Sequence, residues 1–293
     1  MSFQVNSNKT MRLESQINKL ISYGYTLQGE QKKLKNIHTN QNFCGEGFSL
    51  MKYYKTENIY LKDSEKLVEI LSKKEEIKRR FNFKNEIYKI LIEYIHIVFE
   101  EELNLKREQI VMKLNEKEKS FFYFSNFYSI PHSKVFLIIP DLNQPCGIFN
   151  ESSVFYDGLF FGSFYNYIIS ANNENYCSVV INPFSKEEVY YEAIEFYLKS
   201  VIEKKTELIS DLIILCNGFG GSALIKLLSK GLFKSENHKK IIKKIILIDS
   251  KHGELYRILE DREFEFWEKK AVNYILSNSP TGTLEANSRD SGE

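Results

Sequence analysis

The residues whose types and spacing point most directly to chemistry form the segment Asn217-Gly218-Phe219-Gly220-Gly221. It follows a short apolar run and precedes a helical pattern. This is where the pattern Gly-x-Ser-x-Gly holds a nucleophilic serine on a sharp turn for acyl transfer. Gly218 stands at the serine position, so no covalent step can begin there, although the glycines permit a strained turn. The segment therefore predicts the shape of a nucleophile turn without its nucleophile.

Nearby polar residues leave a rearranged site open as an alternative. Ser222 lies in the first turn of the following helix, and Asp249-Ser250-Lys251-His252 follows the next strand. Ser222, His252 and Asp249 have the residue types of a nucleophile, a base and an orienting acid. The plainer interpretation makes Ser222 a helix-terminus residue and Asp249 a turn residue.

The same glycines also match a phosphate-binding pattern. Gly218-Phe219-Gly220-Gly221-Ser222-Ala223 reads G-x-G-x-x-G/A, and Asp249 ends the next strand, where a ribose-binding acid would lie. A helix N-terminus at this turn would favour an anion. The segment lies late in the chain, however, whereas the dinucleotide pattern normally opens a βαβ unit at its first strand.

The loop after Ile139 reads Pro140-Asp141-Leu142-Asn143. Acyl hydrolases often carry His-Gly here, in a loop that supplies a backbone N–H to the oxyanion hole. Neither residue is present, and Pro140 has no N–H at all. We therefore expect a second catalytic component to be missing.

Composition excludes several classes of protein. Net charge is +1 with 27% charged residues, so no overall field favours nucleic acid. Basic runs at 73–80 and 239–244 alternate with apolar or acidic residues; we expect solvated faces that contact nucleic acid weakly or indirectly.

No run approaches the ~20 apolar residues of a membrane span, and the N-terminus lacks a signal peptide, so an intracellular protein without a membrane partner is expected. The four cysteines form no CxxC pair, and no pattern predicts a metal or a cofactor.

Hydrophobic periodicity predicts an α/β fold with a mostly parallel central sheet flanked by helices and an N-terminal helical extension. We expect an irregular segment over 1–62, the α/β domain over 63–276 and a polar, disordered tail over 277–293. Strands are predicted at 120–125, 135–139, 177–181, 212–215 and 245–248. Helices are predicted at 64–80, 85–104, 186–203, 221–230 and 263–276, with 153–170 as a loop leading into a helix.

Several blocks together resemble the Argonaute-binding (Arb-type) domain family, over most of the chain. Gly24-Tyr25…Leu34-Lys35-Asn36-Ile37…Phe43 is similar to its opening "GY…LRNI…F", and residues 88–124 match its next block. The further matches are VFLIIP with "VLIHGSG", VVINPF with "VVLNPN", CNGFGG with "AHSYGG", IDSKHG with "TDSVH", and Trp267…Asn273-Tyr274…Ser277 with "W…NWVSSS".

This resemblance implies an α/β-hydrolase-like fold linked to Argonaute proteins, RNA silencing and cotranscriptional regulation, in the nucleus or the cytoplasm. Asn217 takes the His position of the family's turn and Gly218 its Ser. Asp249 and His252 match directly, whereas Pro140 and Asp141 replace its His-Gly. Many members continue into a segment with another His, and this chain stops first. The resemblance implies a scaffold that binds protein, and the replaced Ser and His-Gly predict that it is catalytically inactive.

Overall fold

The computed structural model describes residues 3–38, 64–114, 117–125, 133–142, 144–181, 187–199, 207–250 and 259–274. The strands are β1 (Tyr25–Gln28), β2 (Lys33–Asn36), β3 (Lys106–Leu114), β4 (Lys117–Ser125), β5 (Ser133–Ile139), β6 (Tyr176–Ile181), β7 (Ile209–Asn217), β8 (Ile242–Ile248) and β9 (Ala271–Tyr274). The helices are α1 (Phe3–Ser22), α2 (Ser64–Glu101), α3 (Glu151–Tyr156), α4 (Tyr165–Asn173), α5 (Glu187–Tyr197), α6 (Phe219–Ser229), α7 (Glu236–Ile241) and α8 (Asp261–Lys270).

The central sheet has the order β3-β4-β6-β5-β7-β8-β9. Strands β3 and β4 are antiparallel to their neighbours at one edge, and β6, β5, β7, β8 and β9 are mutually parallel. In β5, Val135, Leu137 and Ile139 enter one core, while Phe136 and Ile138 enter the other. Burial on both faces explains the continuous apolar strands. This order, with a strand–turn–helix unit at β7, is that of an α/β-hydrolase-like fold, so the predicted fold class is confirmed.

The prediction of an irregular segment over 1–62 is wrong for its first part. Residues 3–22 form α1, and β1 and β2 pair as an antiparallel hairpin. The apolar stripe of α1 is narrow: Leu20 is fully buried, and Leu13 is only partly covered. A stripe this thin among polar residues gives a weak helical signal. Residues 39–63 and the predicted tail at 277–293 lie outside the described residues.

Two further predictions about helices are wrong. The patterns at 64–80 and 85–104 belong to one helix of 38 residues, α2. Neither Gly nor Pro interrupts residues 81–84, so the helix continues through the change of pattern. The helix predicted over 263–276 ends at Lys270, because the next four residues join the sheet as β9 and pair with β8.

Besides α1, β1, β2 and β9, three further elements are absent from the predictions: β3, α3 and α7. Both short helices, α3 and α7, begin after a residue type that is typical of helix N-caps, Asn or Ser. Asn150 Oδ1 accepts the Ser153 N–H over 3.0 Å at α3, and Ser235 Oγ accepts the His238 N–H over 3.1 Å at α7. The segment 153–170 is thus α3, a connection and α4, instead of a loop and one helix.

His96 is a buried polar residue inside the core between α2 and the sheet. Its Nε2 lies 2.8 Å from the carbonyl oxygen of Cys146, so Nε2 carries the proton and donates. Its ring centre lies 5.1 Å from that of Phe124. Burial lowers the pKa of His96; the Cys146 hydrogen bond, Glu93 and Glu100 oppose this shift, and Arg107 adds to it.

We expect His96 to make stability depend on pH. Its folded pKa lies below the unfolded value of about 6.5, so below that pH the unfolded chain binds a proton that the folded chain does not. This contribution is complete above about pH 6.5 and is lost as pH falls toward the folded pKa. Urea unfolding at several pH values measures how the free energy of unfolding changes with pH. His96→Gln should reduce that change by up to about 1.4 kcal/mol per pH unit. Parallel curves for variant and wild type would contradict the assignment.

Candidate functional site

The turn between β7 and α6 has the backbone shape of a nucleophile turn. Strand β7 ends at Asn217, α6 begins at Phe219, and Gly218 between them has φ +51° and ψ −117°. The Gly218 N–H donates to the Ile248 carbonyl oxygen of β8 over 2.9 Å. A positive φ at this position favours glycine over any other residue. The prediction that this turn joins a strand directly to a helix is confirmed.

The Asp141 carboxylate lies directly over this turn. Its Oδ1 accepts the Phe219 N–H over 2.9 Å and the Leu142 N–H over 2.8 Å. Phe219 follows the nucleophile position, and Leu142 lies in the loop after β5. These are the two places from which an α/β-hydrolase draws its oxyanion-hole N–H groups. A carboxylate oxygen of the chain itself therefore occupies the position where a substrate oxyanion would be bound.

Close packing accounts for each of the three glycines. A Cβ at Gly218 would lie 2.7 Å from Asp141 Cγ. A Cβ at Gly220 would lie 2.5 Å from the Ile139 carbonyl oxygen, and one at Gly221 would lie 1.9 Å from Ser250 Oγ. All three distances are too short for a real contact. The glycines therefore let α6 start against β5 and the end of β8.

Aromatic residues hold the loop after β5 against this turn. The Tyr190 hydroxyl donates to the Pro140 carbonyl oxygen. Burial raises the pKa of Tyr190 well above its ordinary value, so the phenol keeps the proton that it donates. The Phe219 ring centre lies 6.1 Å from that of Tyr190 and 5.6 Å from that of Tyr191. Helix α5 thus contacts Pro140, while α6 contacts Asp141.

Two residues of the rearranged-site alternative, Ser222 and Asp249, lie among the described residues. Ser222 is the fourth residue of α6 and is half-buried. Asp249 is exposed, has φ +47°, and donates its backbone N–H to the Tyr274 carbonyl oxygen over 2.8 Å. His252 lies outside the described residues. The structure instead brings residues 217–221 together with Asp141, a contact that the sequence does not predict.

Asp141 also bears on the phosphate-binding alternative. Its carboxylate accepts the first N–H of α6, which is the position that a bound phosphate would take. A fixed negative charge there opposes a second anion. Among the residues with described positions, no group of three or more His, Cys, Asp or Glu side chains is placed to hold a metal ion. No described helix combines the length and the apolar character needed to cross a bilayer.

Asn217, the residue directly before Gly218, has a structural contact. Its side chain is buried, and its Nδ2 donates to the Phe149 carbonyl oxygen over 2.9 Å. Phe149 follows the loop after β5 and packs on Phe164 with ring centres 5.9 Å apart. Asn217 thus ties the end of β7 to the connection between β5 and α3.

No protein-family model matches the chain, and no curated protein matches it either. A protein of Agrobacterium vitis S4 assigned as a hydrolase is 10% identical with a TM-score of 0.36, the match covering 56% of this chain and 61% of that one. The esterase Est22 is 14% identical with a TM-score of 0.31, covering 50% and 44%. A Saccharomyces cerevisiae histone deacetylase is 12% identical with a TM-score of 0.40, covering 65% and 80%. The chain spans less than two thirds of the length of the first two, and scores this low assign no activity to it.

Proposed function

We propose that this protein is an α/β-hydrolase-like scaffold that performs no acyl transfer and works by binding protein partners. The observation that carries the proposal is the Asp141 carboxylate, which accepts both the Phe219 N–H and the Leu142 N–H. Oxyanion-hole donors act on developing negative charge, and removing one of them costs about 10²–10³ in rate. Here both donors already hold a negative oxygen, and that charge repels another.

The nucleophile position supports the same conclusion independently. Gly218 has no side chain, and a Cβ there would collide with Asp141 Cγ at 2.7 Å. A serine could not take the ordinary nucleophile position while Asp141 keeps its hydrogen bonds. Two parts of the acyl-transfer machinery are therefore replaced by one packed arrangement, which favours a structural role for the turn.

Purified protein is expected to hydrolyse short p-nitrophenyl esters no faster than buffer, since a missing nucleophile alone costs several orders of magnitude in rate. A fluorophosphonate probe is expected to leave the chain unlabelled. Labelling at Ser222 that disappears in Ser222→Ala, together with ester turnover, would contradict the proposal. That result would instead support the rearranged site of Ser222, His252 and Asp249.

The resemblance to the Argonaute-binding family supplies the class of partner. We propose that the partner is an Argonaute protein and that the role lies in RNA silencing or cotranscriptional regulation. The test is immunoprecipitation of the tagged chain from its native cell, followed by mass spectrometry, with an unrelated tagged protein as the control. Recovery of an Argonaute with the chain but not with the control is expected. Its absence from the chain's precipitate would overturn this part of the proposal.

A further inference from the structure

The segment 226–244 carries an excess of positive charge that the composition of the whole chain conceals. It contains seven lysines and one acidic residue, Glu236, which gives 7 − 1 = +6 against +1 for the entire protein. We name these lysines the basic edge: Lys226, Lys230, Lys234, Lys239, Lys240, Lys243 and Lys244. The segment is described throughout and comprises the second half of α6, a turn, α7 and the start of β8.

The fold places the basic edge away from the Gly218 turn. Helix α6 begins at that turn and has 11 residues, so its far end lies about 16 Å away. There the chain reverses through α7 and enters β8 at Ile242, beside Leu212 in β7. The lysines from Lys230 onward thus lie toward the end where the parallel strands begin, whereas Lys226 reaches back to Tyr191, which packs on Phe219 of the turn.

Some lysines of the basic edge already have partners. Lys243 Nζ lies 3.3 Å from Asp211 Oδ1, Lys226 Nζ lies 3.9 Å from the ring centre of Tyr191, and Lys239 contacts the Phe266 ring more distantly. Lys230, Lys234 and Lys240 are exposed. Within the part of the chain that the structure describes, no carboxylate forms an ion pair with these three.

The helix dipoles compensate only part of the positive charge of the segment 226–244. Lysines near a helix C-terminus are favourable because that end carries about −0.5 charge. The ends of α6 and α7 together supply about −1 against the +6 of the segment. A surplus of several positive charges therefore faces solvent, and a surplus of that size favours a polyanion over a single small ion.

The residue type indicates which polyanion fits. The segment contains no arginine, whose planar guanidinium pairs two hydrogen bonds with a carboxylate. Lysines are mobile point charges, suited to a repeating line of phosphates and carrying no base specificity. We propose that the basic edge, through Lys230, Lys234 and Lys240, binds the phosphodiester backbone of nucleic acid without reading its sequence.

The test measures binding of the full chain to fluorescently labelled single-stranded RNA and to duplex DNA of the same sequence, by anisotropy between about 50 and 200 mM salt. Wild type should bind, with log K falling linearly as log salt rises. The triple variant Lys230→Gln, Lys234→Gln, Lys240→Gln should lose about tenfold in affinity, and its salt slope should fall by about 2. Comparison of the affinities for RNA and for duplex DNA shows which nucleic acid supplies the phosphodiester backbone.

The matched control removes the same charge elsewhere, at the exposed residues Lys19, Lys33 and Lys106, which form no ion pair within the described part of the chain. It should bind within about twofold of wild type, because distant surface charges are screened beyond about 10 Å. Three results would overturn the proposal: no binding at low salt, equal losses in both triple variants, or equal competition by polyglutamate or phosphatidylserine vesicles. The last would assign the surface to an acidic protein or a membrane. Circular dichroism confirms that both variants remain folded, and ester turnover plays no part in the assay.

Discussion

Gly220→Ala is expected to lower the free energy of unfolding by about 3 kcal/mol. At an ordinary helical position this change would stabilise by up to about 1 kcal/mol, because alanine is the better helix former. Here the new Cβ would lie 2.5 Å from the Ile139 carbonyl oxygen and 3.2 Å from that of Pro140. Both atoms belong to the backbone of β5 and its following loop, so α6 would have to move off the sheet. Chemical unfolding measures the loss directly.

Gly221→Ala provides the matched comparison for Gly220→Ala. Its Cβ would meet Ser250 Oγ at 1.9 Å and Ser250 Cβ at 2.9 Å, atoms that belong to a side chain. Ser250→Gly should therefore rescue much of the loss caused by Gly221→Ala and none of that caused by Gly220→Ala. If Gly220→Ala melts at or above the wild-type temperature, the proposed close approach of α6 to β5 is wrong.

Gly218→Ser is expected to destabilise through two separable effects. A positive φ of +51° costs a residue with a side chain about 1–3 kcal/mol. The serine Cβ would also displace the Asp141 carboxylate from 2.7 Å and break its hydrogen bonds to the turn. In an Asp141→Ala background only the first effect remains. A double-mutant cycle on Gly218→Ser and Asp141→Ala should therefore give a coupling energy of about 0.5–3 kcal/mol.

Gly24→Ser is the control for backbone strain alone. Gly24 has φ +82°, and a Cβ there would meet no atom within 4 Å. Its cost should be the same in the wild-type chain and in the Asp141→Ala background. Additive behaviour of Gly218→Ser and Asp141→Ala would show that the carboxylate does not contact residue 218, and it would contradict a filled oxyanion position.

The sequence pattern predicts much of the fold. The apolar runs in β5, β6, β7 and β8 are buried on both faces, so their hydrophobicity is continuous and each predicted a strand. The glycines after β7 predicted a tight turn because few other residues tolerate its backbone angles. By contrast, β9 follows α8 without any break, and its strand state arises from pairing with β8. Local pattern does not contain that pairing.

The candidate site likewise has features that the sequence predicts and features that depend on the tertiary structure. The sequence by itself determined that residue 218 has no nucleophilic side chain and that the His-Gly pair is missing after β5, because these are statements about residue type. Only the tertiary structure decided what replaced them. Asp141 and Phe219 are separated by 78 positions and meet because β5 and β7 are parallel neighbours whose carboxyl ends share one edge of the sheet. Because this contact depends on strand order, the local sequence pattern around Asp141 or Phe219 does not predict it.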